Sequence, residues 1–293
     1  MTPWRRIAQH IGQASGAPFS PDGPHPMGGG CVNAAVRLSD GERSYFVKLN
    51  QARRLDMFIA ESGGLQEIRA TKTLRAPRPL CYGTAGDQAY LVMEYIELNP
   101  GRGAAGGQAG RRLAAMHRNL AGGFGWRRDN TIGATVQPNR RCNDWVRFWR
   151  EQRLGFQLEL AARNGHGGRL QRRGEKLLAG LPALISHAPV PSLLHGDLWC
   201  GNMARDPEGR PVVYDPAVYY GDREADLAMT ELFGGFSSDF YAAYREAWPL
   251  DAGYGVRKIL YNLYHILNHL NLFGDGYLGQ AEGMIDRLLA ELH

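Results

Sequence analysis

Asp197, Asn202 and Asp215 place two carboxylates and an amide within one short stretch of the chain. It reads Leu193-Leu194-His195-Gly196-Asp197-Leu198-Trp199-Cys200-Gly201-Asn202 and continues at Val212-Val213-Tyr214-Asp215-Pro216-Ala217. Asn202 follows Asp197 by five positions, and Asp215 follows it by 18. Moving a phosphoryl group from ATP to a hydroxyl needs a carboxylate to receive the hydroxyl proton. It also needs an amide oxygen and a second carboxylate to hold Mg²⁺ on the phosphates. These residue types stand here in that order, and the gap of five is that of the kinase pattern H-x-D-x-x-x-x-N. A lone His-Gly-Asp triplet would carry little weight. With Asn202 and an Asp after an apolar β-type run, the pattern points to Asp197 as the catalytic residue and to Asn202 and Asp215 as metal ligands.

The other half of such a cleft must grip the phosphates. Lys48 ends the run Ser44-Tyr45-Phe46-Val47-Lys48-Leu49, and Glu61 lies 13 residues later in a helical segment. A strand Lys held by a helix Glu is the phosphate-binding pair of kinases. Alone, the two could be an edge-strand Lys and a surface Glu. Gly28-Gly29-Gly30, with Asn33 close behind, forms a turn whose backbone amides can point at phosphates, although it fits neither common glycine-rich motif. Cys31 follows those glycines. It is either a small residue in a tight turn or an oxidisable thiol beside a positive nest. Glu94, Tyr95 and Ile96 end an apolar strand where backbone groups could pair with adenine.

Around the catalytic block, His195 reads as a brace for the loop and Asp226 as a cap or a tie to its backbone. Trp199 either packs inside or lines an acceptor pocket. Tyr261, His265, Asn268 and Asn271 share one helical face, which suits either a sugar-binding wall or a buried helix with satisfied polar groups. His269 belongs to the same segment.

The elements that must position these groups are legible in outline. A hairpin is expected over 27–50, a helix over 56–75 ended by Pro77 and Pro79, and a strand over 89–96. The glycine-rich run 99–107 is the best domain boundary. Helices follow near 108–119, 142–164 and 168–187, then a strand-and-loop block over 192–221. The last helices fall near 224–234, 236–247, 253–272 and 278–292. The order is strand-rich, then helical. An α+β fold is expected, with residues 1–96 as one unit and 97–293 as the other.

Composition limits the alternatives. The 293 residues are 44% apolar and 22% charged, enough for a sizeable core and too apolar for a disordered chain. No apolar run reaches the ~18 residues of a membrane span. Residues 1–16 lack a secretory core and instead place Trp4, Ile7 and Ile11 on one helical face. A cytoplasmic protein is expected. The cysteines at 31, 81, 142 and 200 form no C-x-x-C pair, so neither structural zinc nor a disulfide framework is expected. The net charge of +5 suits an anionic ligand such as ATP, but no basic run interleaves with aromatics as in single-strand nucleic-acid binders.

The chain closely resembles the fructosamine kinase (ketosamine-3-kinase) family. The resemblance rests on His195-Gly196-Asp197-Leu198-Trp199 with Gly201-Asn202, on Asp215-Pro216-Ala217, and on Arg223 to Met229. Asp129-Asn130-Thr131-Ile132-Gly133, Phe148-Trp149-Arg150-Glu151-Gln152 and Asn268-His269-Leu270-Asn271 extend it over nearly the whole chain. Departures include Cys200 where Ser is usual and the Gly/Ala-rich 101–107 run. The resemblance implies a bilobal protein-kinase-like fold, related to aminoglycoside and choline kinases, with a small β-rich N-lobe and a larger helical C-lobe. It implies ATP-dependent phosphorylation of the sugar 3-hydroxyl of ketosamines, free or on glycated protein lysines, after which the adduct falls off and the amine is repaired. It leaves monomer and homodimer open. Two other readings stand beside it: a kinase for an aminoglycoside or amino alcohol, and a nucleotide-binding pseudokinase. A pseudokinase would lack the base, a metal ligand or the Lys, and all are present here.

Overall fold

The computed structural model describes residues 3–28, 32–100 and 106–292. Helix α1 (Pro3–Ser15) leads into strands β1 (Pro24–Met27), β2 (Ala34–Ser39) and β3 (Ser44–Gln51), then helix α2 (Leu55–Ala70). Strands β4 (Pro79–Ala85), β5 (Gln88–Glu94) and the short β6 (Asn99–Pro100) follow. Helix α3 (Gly107–His117), the hairpin β7 (Asn130–Ile132) and β8 (Thr135–Gln137), and helices α4 (Trp145–Trp149), α5 (Gly155–Arg163) and α6 (Arg169–Leu184) come next. Strands β9 (Ser192–Leu194), β10 (Met203–Arg205), β11 (Pro211–Val213) and β12 (Tyr219–Gly221) carry the catalytic segment. Helices α7 (Glu224–Leu232), α8 (Ser238–Ala247), α9 (Tyr254–Phe273) and α10 (Leu278–Ala290) complete the chain. The architecture is α+β, as expected.

An antiparallel five-stranded sheet in the order β1-β2-β3-β5-β4 positions the first half of the site. Side chains alternate between its faces. Tyr45, Val47 and Leu49 of β3 join Tyr90 and Val92 of β5 in a core with Ile7 and Ile11 of α1. Ala89, Leu91 and Met93 face the other way, into the core that holds Phe58, Leu65 and Ile68 of α2. The same alternation turns Lys48 toward α2. On α2, Glu61 follows Phe58 by three positions and precedes Leu65 by four, so it lies on the helix's buried stripe.

Three boundaries depart from expectation, each for a local reason. Helix α2 stops at Ala70 because the Thr71 hydroxyl bonds the Ile68 carbonyl at 2.7 Å and Lys72 takes the left-handed conformation, φ 56°. The helix expected over 142–164 is broken by a wide π-type turn at Arg150–Leu154. Gly155 admits that turn, since a Cβ there would lie 2.4 Å from the Arg150 carbonyl oxygen. Strand β4 was masked in the sequence by its Pro and Gly. It is an edge strand with Pro at its first residue, where no ladder donor is lost, and Gly83 leaves room for the Tyr90 ring.

Candidate active site

Lys48 on β3 stands between two carboxylates. Its Nζ donates to Glu61 Oε1 at 2.6 Å and to Asp215 Oδ1 at 2.5 Å. Burial alone would favour the neutral amine, but the charges of Asp215 and Glu61 outweigh it and hold the lysine pKa above its ordinary value. Positions 48, 61 and 215, far apart in sequence, thus meet at one ammonium.

The catalytic segment is a loop between β9 and β10, fixed from beneath. Asp226 Oδ2 accepts from the His195 N–H at 2.7 Å and from His117 Nε2 at 3.1 Å. Its Oδ1 accepts from the Gly196 N–H at 2.8 Å. Burial works against this carboxylate, but the bonds from His117 and Gly196 outweigh it and keep its pKa below the ordinary aspartate value. The His195 ring accepts from the Asp197 N–H at Nδ1 (3.3 Å) and donates from Nε2 to the Tyr214 carbonyl (3.0 Å). Burial lowers its pKa, so the ring is a neutral brace between the two halves of the motif. Gly196 has φ 83°, and a Cβ there would lie 2.1 Å from the Ala217 carbonyl oxygen. Only glycine lets the His-Gly-Asp turn press against the Asp-Pro-Ala turn.

Asn202 Nδ2 donates to the Asp197 carbonyl at 2.8 Å and to its carboxylate at 3.1 Å. The amide's hydrogens face Asp197, which leaves its oxygen for another partner. Asp215 sits at φ 57°, with its side chain 46% exposed to the cleft. Burial, then the negative charge of Asp215, push the Asp197 carboxyl up to about 7. An amide oxygen and a half-exposed carboxylate at one cleft are hard oxygen donors of the kind Mg²⁺ takes alongside phosphates and water. The residues therefore fit the metal that the sequence implies.

The remaining candidates fall into place or outside it. Gly28 lies in open space and Asn33 accepts from Asn50 Nδ2 at 2.7 Å. Gly29, Gly30 and Cys31 lie outside the described residues. At the strand end, the N–H and the side chain of Glu94 are engaged within the protein. Its N–H donates to the Arg78 carbonyl at 2.8 Å, and its carboxylate accepts from Arg75 and from the Arg78 N–H. That leaves the N–H groups of Tyr95 and Ile96, which have no hydrogen-bond partner among the described residues. Trp199 lies flat over Gly201, where a Cβ would come within 2.3 Å of its ring, and meets Phe233 edge-on. Phe233 in turn packs on His269, whose ring also meets Phe273 and Tyr277. Of these, Phe273 is 60% exposed.

The possible sugar-binding wall on α9 is instead an internal network. Tyr261 donates to Asp222 at 2.5 Å, Asn268 meets Gln157 and the Ile132 carbonyl, and Asn271 donates to Gln157. Burial, with a smaller push from His269, lowers the pKa of His265 to about 3. Only the end of α9, with His269 and Phe273, reaches toward Trp199.

Several working contacts, though not every residue that makes them, carried no readable signal. Glu67 of α2 accepts from Trp126 Nε1 at 2.7 Å and from the Tyr220 hydroxyl at 2.8 Å, tying the helix to the strand after Asp215. Gln137 and Asn130 bond the carbonyls of Ala217 and Val218. His117 supports Asp226 from α3. Each acts through partners roughly 80 or more positions away, apart from Glu67 with Trp126 at 59. A single sequence gives no hint of such pairings.

The fructosamine kinase family model matches residues 3–291. A probable ketoamine kinase of Synechocystis is 49% identical over 290 residues, covering 98% of this chain and 97% of its own. A chloroplastic protein-ribulosamine 3-kinase of Arabidopsis thaliana is 42% identical over 91% of this chain and 82% of its own. A crystal structure of a candidate fructosamine-3-kinase from Haemophilus somnus superposes with a TM-score of 0.89 at 28% identity, covering 98% of this chain and 97% of its own. An aminoglycoside phosphotransferase shares the fold at a TM-score of 0.62 and 16% identity, over 97% of this chain and 98% of its own. The fold is therefore protein-kinase-like.

Proposed function

This chain belongs to the fructosamine kinase family, and from that membership and the cleft's geometry we infer how it works and on what. It is an enzyme that phosphorylates ketosamines. The finer reading is transfer of the ATP γ-phosphoryl group to the sugar 3-hydroxyl of a fructosyl- or ribulosyl-lysine, free or on a protein. The phosphorylated adduct then leaves and the amine is restored. The observation that carries this reading is the meeting of Lys48, Glu61 and Asp215 beside the Asp197–Asn202 pair.

Each residue has a role in that reading. Asp197 receives the proton of the sugar hydroxyl, and Asn202 fixes its rotamer by bonding both its carbonyl and its carboxylate. Placement matters more than basicity in this chemistry. Lys48, held by Glu61, grips the phosphates. Tyr95 and Ile96 offer backbone groups to the base. Asn202 and Asp215 would hold Mg²⁺, which supplies charge neutralisation on the phosphates when bound. Trp199 and His269 face the acceptor side, where a neutral aromatic surface favours a sugar over a cationic drug. The boundary between the lobes falls at residue 96, between the units 1–96 and 97–293. No helix among the described residues is long and apolar enough to cross a membrane.

The test is ADP release with Mg²⁺·ATP and, in parallel, ribulosyl-lysine, fructosyl-lysine and kanamycin. Turnover with a ketosamine and phosphorus-coupled NMR at the sugar C3 are expected. Turnover with kanamycin alone would overturn the acceptor assignment.

A further inference from the structure

A cavity of about 430 Å³ lies behind α2, on a different face of that helix from Glu61. Ser62, Gly63 and Gln66 of α2 form one wall, Tyr82 of β4 another, and Arg127 and Arg128 a third. Gly63 lets the Arg127 guanidinium lie down on the helix, for a Cβ there would be 2.6 Å from its Nη2. The same guanidinium covers the Trp126 ring at 5.1 Å, and among the described residues it has no carboxylate partner. Arg128 reaches Asp56 at the rim at 3.4 Å, while its Nε is buried with no partner among the described residues.

The small polar groups of the cavity are also free to meet a ligand. Ser62 is only 3% exposed, and among the described residues no hydrogen bond engages its hydroxyl, while Gln66 and Tyr82 are exposed at the mouth. The stranded buried donor here is Arg128 Nε, and such groups in native proteins await a ligand or water. No carboxylate lines the cavity. Of the acidic side chains of α2 near it, Asp56 meets Arg128 at the rim and Glu67 is engaged by Trp126 and Tyr220.

Two guanidinium groups, a buried hydroxyl and an amide around a space of this size suit a tetrahedral dianion with a small organic tail. We propose that this cavity is a second ligand site, separate from the cleft, which takes the phosphoryl group of a phosphate monoester. Arg127 and Arg128 would clamp the oxygens, Ser62 would donate to one of them, and Tyr82 and Gln66 would flank the tail. The site stands whether or not the acceptor in the cleft is a ketosamine.

Calorimetry tests it on the full chain, with the cleft filled by a non-hydrolysable ATP analogue and Mg²⁺. Ribose 5-phosphate and inorganic phosphate serve as probes at constant ionic strength. Saturable binding is expected. It should weaken at least about tenfold in Arg127→Gln, the loss of a charge-assisted clamp. It should vanish in Gln66→Trp, which fills the cavity from an exposed position. Melting curves check that both variants are folded, and basal turnover stays unchanged in both. Tighter binding of ribose 5-phosphate assigns part of the recognition to the organic tail, and equal binding assigns it to the phosphoryl group alone. No saturable binding of either probe, or isotherms unmoved by both folded variants, would overturn the proposal and leave the cavity to water.

Discussion

Replacing Asp226 by Asn tests whether the catalytic loop is held by one buried charge. The carboxylate serves three donors: His195 N–H and His117 Nε2 on one oxygen, Gly196 N–H on the other. An amide keeps one oxygen. Turned toward His195 and His117, it sets its NH₂ against the Gly196 N–H, donor against donor. One charge-assisted bond is lost and one buried donor is stranded, so the change should cost about 2–4 kcal/mol. That is a large part of the ~5–15 kcal/mol by which a domain of this kind is stable. The Gly196 N–H immediately precedes Asp197, so relaxation of the clash moves the base itself. A displacement of about 1 Å lowers the rate by about 100-fold. Urea unfolding gives the first number and kcat the second, measured where the variant is still folded. A loss under about 1 kcal/mol with unchanged kcat would refute the view that Asp226 sets the loop's position.

The other expectations are briefer. Asp197→Asn and Asp215→Ala should each remove nearly all turnover while the chain still folds; normal turnover in purified Asp197→Asn would overturn its assignment. Gly110→Ala should destabilise the chain, because its Cβ would lie 2.2 Å from the Phe240 carbonyl oxygen where α3 crosses α8. Overpacking against backbone costs about 1–3 kcal/mol, more than the ~1 kcal/mol helix propensity gained, so a raised melting temperature would contradict the crossing. His265 is held neutral, its pKa lowered from 6.5 to about 3. As pH falls below 6.5 the unfolded chain takes up a proton that the folded chain refuses. Stability from this group is then lost by up to about 1.4 kcal/mol per pH unit until about 3. His265→Asn should flatten the stability profile between pH 6 and pH 4 relative to wild type, and an unchanged slope would count against it.

The chemistry was legible because its residues are fixed by type and spacing. Asp197, Asn202 and Asp215 need particular side chains at short intervals, and Lys48 and Glu61 stand 13 positions apart on a β-type run and the helix that follows it. Supporting contacts were not legible. Glu67 meets Trp126 and Tyr220 only after α2, the segment at 124–126 and β12 have packed together, and no local pattern encodes that. Strand β4 hid because an edge position tolerates the Pro and Gly that usually argue against a strand. On α9 the periodicity of Tyr261, His265 and Asn268 was visible, but a polar stripe looks alike whether it meets solvent or buried partners such as Asp222 and Gln157. Only packing decided between them.

The alternation along β3 has a consequence for how this enzyme can lose its activity. Lys48 faces α2 only because the strand's register carries odd and even positions to opposite sides. Loss of one residue from the turn at 40–43 could slip the register and send the ammonium toward α1, away from both carboxylates. Every motif would still be spelled out in such a chain, and the enzyme would be silent. For this fold, the length of a turn that touches no substrate is as much an inherited requirement as the aspartates themselves.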